Sequence, residues 1–181
     1  MRRVFPQALL IAFLLTGCAA PYLVPRYESE PANASALTAL GVGNVEVGAF
    51  EEVPFDSSCR GLHALALPDG MSPGQYFRKA LEIELQKAHV PASQAGRVTL
   101  SGKVESVGFS SMTAITMGVW NIRVSLRSSN GKALQASESH EFDSGFAYQE
   151  ACRNTAQEFP KGVQKLIARL FADPAFPSLL R

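Results

Sequence analysis

Alternation of apolar and polar residues marks several strands along this chain, and two longer stretches repeat at helical spacing. Val45 and Val47 alternate with Asn44, Glu46 and Gly48, which predicts a first strand over 41–52. Val98, Leu100 and Val104 alternate with Thr99, Ser101, Lys103 and Glu105 over 97–109. Trp120, Ile122, Val124 and Leu126 do so against Asn121, Arg123, Ser125 and Arg127 over 119–128. A returning strand is expected over 132–142, behind an Asn130-Gly131 pair that favours a type I′ hairpin turn. One apolar and one polar side per strand describes an antiparallel sheet with one wet face. The stretch 62–67 reads as a short buried strand or a loop packed on the core.

The first helix opens with Ser72 as N-cap, Pro73 at the first helical position and Gln75 completing a capping box. Phe77, Leu81, Leu85 and Ala88 form its apolar stripe, and Pro91 places its end near His89. Glu82 and Glu84 read as a solvated face. The second helix is expected over 149–172, with Cys152, Ala156, Phe159, Val163, Leu166, Ile167 and Leu170 on one side. Pro160 lies within it and predicts a kink or break. Strand, helix, three strands, helix is the order of an α+β two-layer sandwich. It has an antiparallel sheet of about four strands and two helices on one face.

One segment breaks the pattern. Residues 106–122 carry no charge, and the apolar parity switches inside them. Val107 and Phe109 are odd-numbered where Leu100 and Val104 are even; Ile115, Met117 and Val119 are odd where Trp120 to Leu126 are even. Either the joined ends of two strands expose apolar side chains on the wet face, or a bulge near Gly108 or Gly118 restores one face. In the exposed case Phe109, Met112, Ile115 and Met117 would form a surface for a partner protein or a lipid. In the other, the 62–67 segment or the amino-terminal tether covers it.

Composition adds limits. The chain has 181 residues, 46% hydrophobic, with 17 basic and 16 acidic side chains. That excludes a disordered or fibrous protein and leaves no basic footprint for nucleic acid.

The amino terminus is an address. Met1-Arg2-Arg3 is basic, residues 4–15 are uncharged and mostly apolar, and Leu15-Thr16-Gly17-Cys18 follows. The run is too short and too interrupted for a membrane span. These four residues resemble the lipobox of bacterial lipoproteins. That resemblance implies removal of residues 1–17 as a signal peptide and lipidation of Cys18, with acyl chains that hold the protein in a membrane. Ala19 after the cysteine implies sorting to the outer membrane, facing the periplasm. Residues 18–39 read as a proline-bearing tether and 40–181 as one folded domain. In its layout the domain also resembles small outer-membrane lipoproteins of the YajG-like, LptE-like and transporter-auxiliary types.

With Cys18 lipidated, Cys59 and Cys152 remain. An oxidising compartment favours a disulfide between them. It would close about 90 residues and contribute roughly 4–5 kcal/mol by the chain-entropy argument. Two buried free thiols, or a metal site with His63, are the alternatives. Catalytic signals are sparse. His140 lies near Glu138, Asp143 and Ser144, but no G-x-S-x-G elbow, H-E-x-x-H or phosphate-binding glycine loop is present. The expected protein is therefore a non-catalytic lipoprotein without metal or cofactor. It would be tied to the membrane by its anchor and act as a binding or accessory subunit for an envelope protein partner. The alternative is a lipid- or small-ligand-binding lipoprotein with a pocket between helices and sheet.

Overall fold

The computed structural model describes residues 20–40, 45–89 and 98–181. Cys18 lies outside the described residues, as do the first positions of the strand expected from 41. A four-stranded sheet carries the fold: β2 (Val45–Glu51), β5 (Val98–Ser110), β6 (Met117–Ser128) and β7 (Ala133–Asp143), side by side in that order. The last three are antiparallel hairpins. The first pair, β2 with β5, is parallel, a difference from the all-antiparallel expectation. The cause is the connection, because helix α2 (Pro73–Lys87) carries the chain back across the sheet between them.

Helix α2 begins as its sequence specifies. Gln75 N donates to Ser72 Oγ at 3.2 Å, and Ser72 N donates to Gln75 Oε1 at 2.9 Å. Such a cap is worth about 1 kcal/mol. Helix α3 (Tyr148–Ala172) supplies the rest of the covering layer. It runs unbroken through Pro160, so the expected break is absent. Phe159, Val163, Leu166 and Ile167 flank that proline and are all buried, and their packing on the sheet offsets the lost hydrogen bond. Between the layers Trp120, Tyr76, Phe159, Leu100 and Leu166 are fully buried. The Trp120 indole donates to the Thr155 carbonyl at 2.9 Å, so the largest core residue also ties sheet to helix.

The parity switch in the third predicted strand is a β-bulge. Val104 pairs with Val124 and Ser106 with Arg123, which leaves Glu105 as the extra residue. Beyond it, Val107 faces Ile122 and Phe109 faces Trp120 on the helix-covered side. The bulge therefore sits at Glu105 and not at Gly108 or Gly118. Its carboxylate stays on the wet face, accepting from Ser125 Oγ at 2.8 Å and pairing with Lys103 at 3.0 Å. The Asn130-Gly131 hairpin also differs from expectation. Gly131 has φ of 86° and Asn130 is not left-handed, so the connection is a three-residue loop with glycine in the left-handed position.

Residues 20–40 do not form an extended tether. Strand β1 (Tyr22–Leu23) pairs in parallel with β4 (His63–Ala66), which pairs with β3 (Ser58–Cys59) in a second, small sheet. Helix α1 (Pro31–Ala39) then packs on α2 and α3, with Leu37 fully buried. The residue that captures this segment is Glu84, which is fully buried and not on a solvated face. Its Oε1 accepts from the Tyr27 hydroxyl, from Glu30 N at 3.1 Å and from Asn33 Nδ2 at 3.3 Å. Burial and this carboxylate push the Tyr27 hydroxyl well above its ordinary pKa. Glu82, by contrast, pairs at the surface with Arg78 and Lys79.

Candidate functional site

The disulfide organises one end of the molecule. Cys59 and Cys152 are bonded and fully buried, with Cα atoms 5.8 Å apart and a sequence separation of 93 positions. This joins β3 to the first turns of α3. Both sulfurs are engaged with each other, so the alternative metal site with His63 has no thiolate to offer.

The residue after Cys59 does further bracing. Arg60 takes a left-handed conformation with φ of 51°, ahead of Gly61, in the tight turn between β3 and β4. From there its guanidinium donates to Ser111 Oγ and to the Ser111 and Phe146 carbonyls, each at 3.1 Å. One side chain thus bridges the β5–β6 loop and the β7–α3 loop. A second junction lies at the Thr116 carbonyl, which accepts from Ser144 N at 2.7 Å and Ser144 Oγ at 2.9 Å. Within the β5–β6 loop, Thr113 N and Oγ1 both donate to the Met117 carbonyl, at 2.8 and 3.1 Å. Three loops are therefore fixed to one another by hydrogen bonds and a covalent bond.

These braced loops carry apolar side chains into solvent. Leu62, Met112, Ile115 and Phe146 are 62–76% exposed. The polar atoms of the loops are turned inward to make the braces, and the large apolar groups are left outside. This is a pole of the molecule. The opposite pole holds the 129–131 hairpin loop, where Asn130 Nδ2 donates to the Ser178 and Arg181 carbonyls of the carboxyl-terminal segment.

The surface predicted from sequence is only half of this set. Met112 and Ile115 belong to it. Phe109 does not, because the bulge turns it inward until its ring lies 6.4 Å from that of Phe55. Met117 is half-buried at the start of β6. The 62–67 segment does not cover the loop; Leu65 and Leu67 are buried, while Leu62 joins the exposed group. Sequence reasoning missed Leu62 and Phe146. The available signal for Phe146 was a large aromatic between Gly145 and the start of a helix, where a loop is expected.

Strand β1 lies beside the same pole. The Tyr22 ring stands edge-on to His63 at 5.3 Å, and His63 stacks on Tyr148 at 5.6 Å. His63, the neighbour of Leu62, thus stands in ring contact with both Tyr22 and Tyr148.

The groups considered for catalysis are committed elsewhere. His140 is buried, with Nε2 2.8 Å from Glu158 and Nδ1 2.9 Å from Lys165 Nζ. Ser144 Oγ donates to the Thr116 carbonyl, and Asp143 accepts from Gly145 N at 3.1 Å. The three residues do not converge. Burial pushes the Glu158 carboxyl up, but the hydrogen bonds from Lys161 and His140 outweigh it and hold it below the usual carboxylate range. Between helices and sheet the described core side chains, Trp120, Phe159 and Leu166 among them, are fully buried. The open sheet face carries Lys103, Arg123 and Arg127 beside Glu105, a mixed and solvated surface. Among the described residues no helix is long and apolar enough to cross a membrane.

No protein-family model and no curated protein sequence matches this chain. Solved structures do. A Xanthomonas campestris protein described under the family model DUF330 aligns over 83% of this chain and 92% of its own, at 10% identity and a TM-score of 0.55. An uncharacterised protein aligns over 83% and 99%, at 13% identity and a TM-score of 0.45. A candidate lipoprotein from Caulobacter crescentus CB15 aligns over 78% and 96%, at 15% identity and a TM-score of 0.33. The last two similarities are too low to weigh. The first establishes a shared fold, an α+β sandwich, and nothing about chemistry.

Proposed function

We propose that this is a lipid-anchored protein of the bacterial envelope, held at the outer membrane and facing the periplasm, that works by contact and not by catalysis. In this reading it is a binding or accessory subunit in envelope assembly, maintenance or transport. The observation that carries it is the apolar pole. Leu62, Met112, Ile115 and Phe146 stand exposed on loops locked by Arg60 and the disulfide. A surface ordered in advance loses little conformational entropy on binding, which is the property a docking module needs. The lipobox at 15–18 supports the anchor, and a disulfide suits an oxidising compartment. The engagement of His140 and Ser144 in bonds between structural elements supports a non-catalytic role.

The test is crosslinking in living cells with Cys18 kept, from photoreactive residues at Ile115 on the pole and at Arg123 on the open sheet face. A discrete protein adduct from Arg123 is the expected result, and the adduct from Ile115 identifies what the pole touches. Adducts to its own chain alone, together with an unprocessed Cys18 by mass spectrometry, would remove both halves of the reading.

A further inference from the structure

Strand β1, which follows Cys18 by four positions, pairs with β4 beside the apolar pole. We propose that the pole is the membrane-contacting surface: Leu62, Met112, Ile115 and Phe146 enter the interfacial layer of the leaflet that holds the protein's own anchor. The proposal rests on the lipoprotein reading above and deepens it by naming the occupant of that surface.

Chain length is the first argument. Only Ala19, Ala20 and Pro21 separate Cys18 from Tyr22. At the fully extended limit, four residue steps span about 14 Å. Tyr22 is held against His63, the neighbour of Leu62, by ring contact and by the pairing of β1 with β4. Helix α3 starts at this pole and extends over 25 residues, about 37 Å at 1.5 Å per residue. A lipid on Cys18 therefore reaches the bilayer from the apolar pole, and the 129–131 hairpin loop is carried well away from it.

Chemistry is the second. The β5–β6 loop and the strand ends beside it have no charged residue from 106 to 122. The exposed side chains of residues 112–116 are apolar or hydroxylic, the composition that an interfacial layer accepts. Two exposed acids border the tips: Asp143 accepts from Gly145 N, and Glu150 lies against the Gly145 turn. Arg60 spends its donors on the loops themselves. Once acylation confines the protein to the surface, contact by four apolar tips adds no translational cost, so a modest patch suffices to set orientation.

The third argument is rigidity. A loop that only needed to be solvated would not require a disulfide, an arginine bridge and the Thr116 junction to hold it. Interfacial side chains that set a tilt do.

The acylated mature protein, reconstituted in vesicles of phosphatidylethanolamine and phosphatidylglycerol at about 3:1, tests this by depth. Tryptophan is placed at the pole by Ile115→Trp and at the far end by Lys132→Trp, with the Trp120 signal of the unmutated protein subtracted. Vesicles containing brominated phosphatidylcholine should quench the Ile115→Trp emission several-fold more than that of Lys132→Trp, with a blue shift. Equal and weak quenching at both sites on a protein whose Cys18 is shown by mass spectrometry to be acylated would overturn the orientation and leave the lipoprotein reading standing. An unacylated Cys18 in cells would overturn both. A protein adduct from a photoreactive residue at Ile115, in place of a lipid adduct, would reassign the pole to a protein partner.

Discussion

The ring of Phe109 lies 4.7 Å from that of Trp120, on the side of the sheet covered by helix α3. Strict alternation from Leu100 and Val104 would put Phe109 on the wet face. The extra residue Glu105 reverses that assignment, and it separates a core aromatic from the exposed loop a few residues on.

This separation predicts two different outcomes from substitutions only six positions apart. Phe109→Ala removes a half-buried ring packed at a tilt against Trp120 and Phe55 and should cost roughly 2–3 kcal/mol. Ile115→Ser lies in solvent and should stay within about 0.5 kcal/mol of the parent. Urea titration monitored by Trp120 fluorescence distinguishes them; equal midpoints would contradict the bulged register.

Deleting Glu105 is the sharper test of the same feature. Without it, Val107 and Phe109 move to the wet face or the strand slips against β6. The near-ultraviolet dichroism of Trp120 should collapse. Glu105→Gly keeps the residue count and should retain the signal.

The disulfide contributes through the chain it closes. Cys59→Ser together with Cys152→Ser should destabilise the domain by roughly 2–5 kcal/mol, read as a lower denaturant midpoint. Removing the bond also loosens the turn that aims Arg60. Hydrogen exchange at 111–116 and 145–147 should therefore rise more than at β6.

Glu84 makes the amino-terminal segment part of the folded unit. Glu84→Leu leaves the Tyr27 hydroxyl, Glu30 N and one Asn33 donor without their acceptor, a loss of roughly 2–4 kcal/mol. Limited proteolysis should then cut within 24–40 before any other described segment. Unchanged resistance there would show that β1 and Leu37 alone hold it.

The Glu158 carboxyl titrates lower in the folded protein than its ordinary value of 4.5. A depressed acid stabilises the fold above its unfolded pKa, and the contribution is lost as pH falls through the folded one. Stability should thus hold near neutrality and decline from about pH 4.5 downward. Glu158→Gln should flatten that decline. A melting temperature with the same acid slope in both proteins would rule out this source.

What the sequence made legible was what is local and periodic. The cap at Ser72, the stripe of α3 and the inward set from Trp120 to Leu126 are all where their spacing puts them. The parity switch at Val107 was legible too, but not the residue that causes it, because a bulge is set by register against β6. The fate of 20–40 was hidden for a related reason. Tyr27, Asn33 and Leu37 show no period of their own, and they are ordered by Glu84, more than 40 positions away in sequence. Of the exposed apolar pole, Met112 and Ile115 were visible as uncharged residues beside a strand end. Leu62 and Phe146 come from separate loops, and only Arg60 and the disulfide bring them to the same pole.

The convergence of Tyr27, Glu30 and Asn33 on a single oxygen of Glu84 has a mechanical side. Any pull on the amino-terminal end is first borne by the β1–β4 pairing and then delivered to the middle of α2. Asn33 Nδ2, bonded also to the Gln164 carbonyl at 3.1 Å, shares the load with α3. Tension therefore enters the two long helices broadside, through several bonds in parallel, and bypasses the edge strand β2. The body therefore resists being peeled open from its amino-terminal end and responds to such a pull as one solid lever.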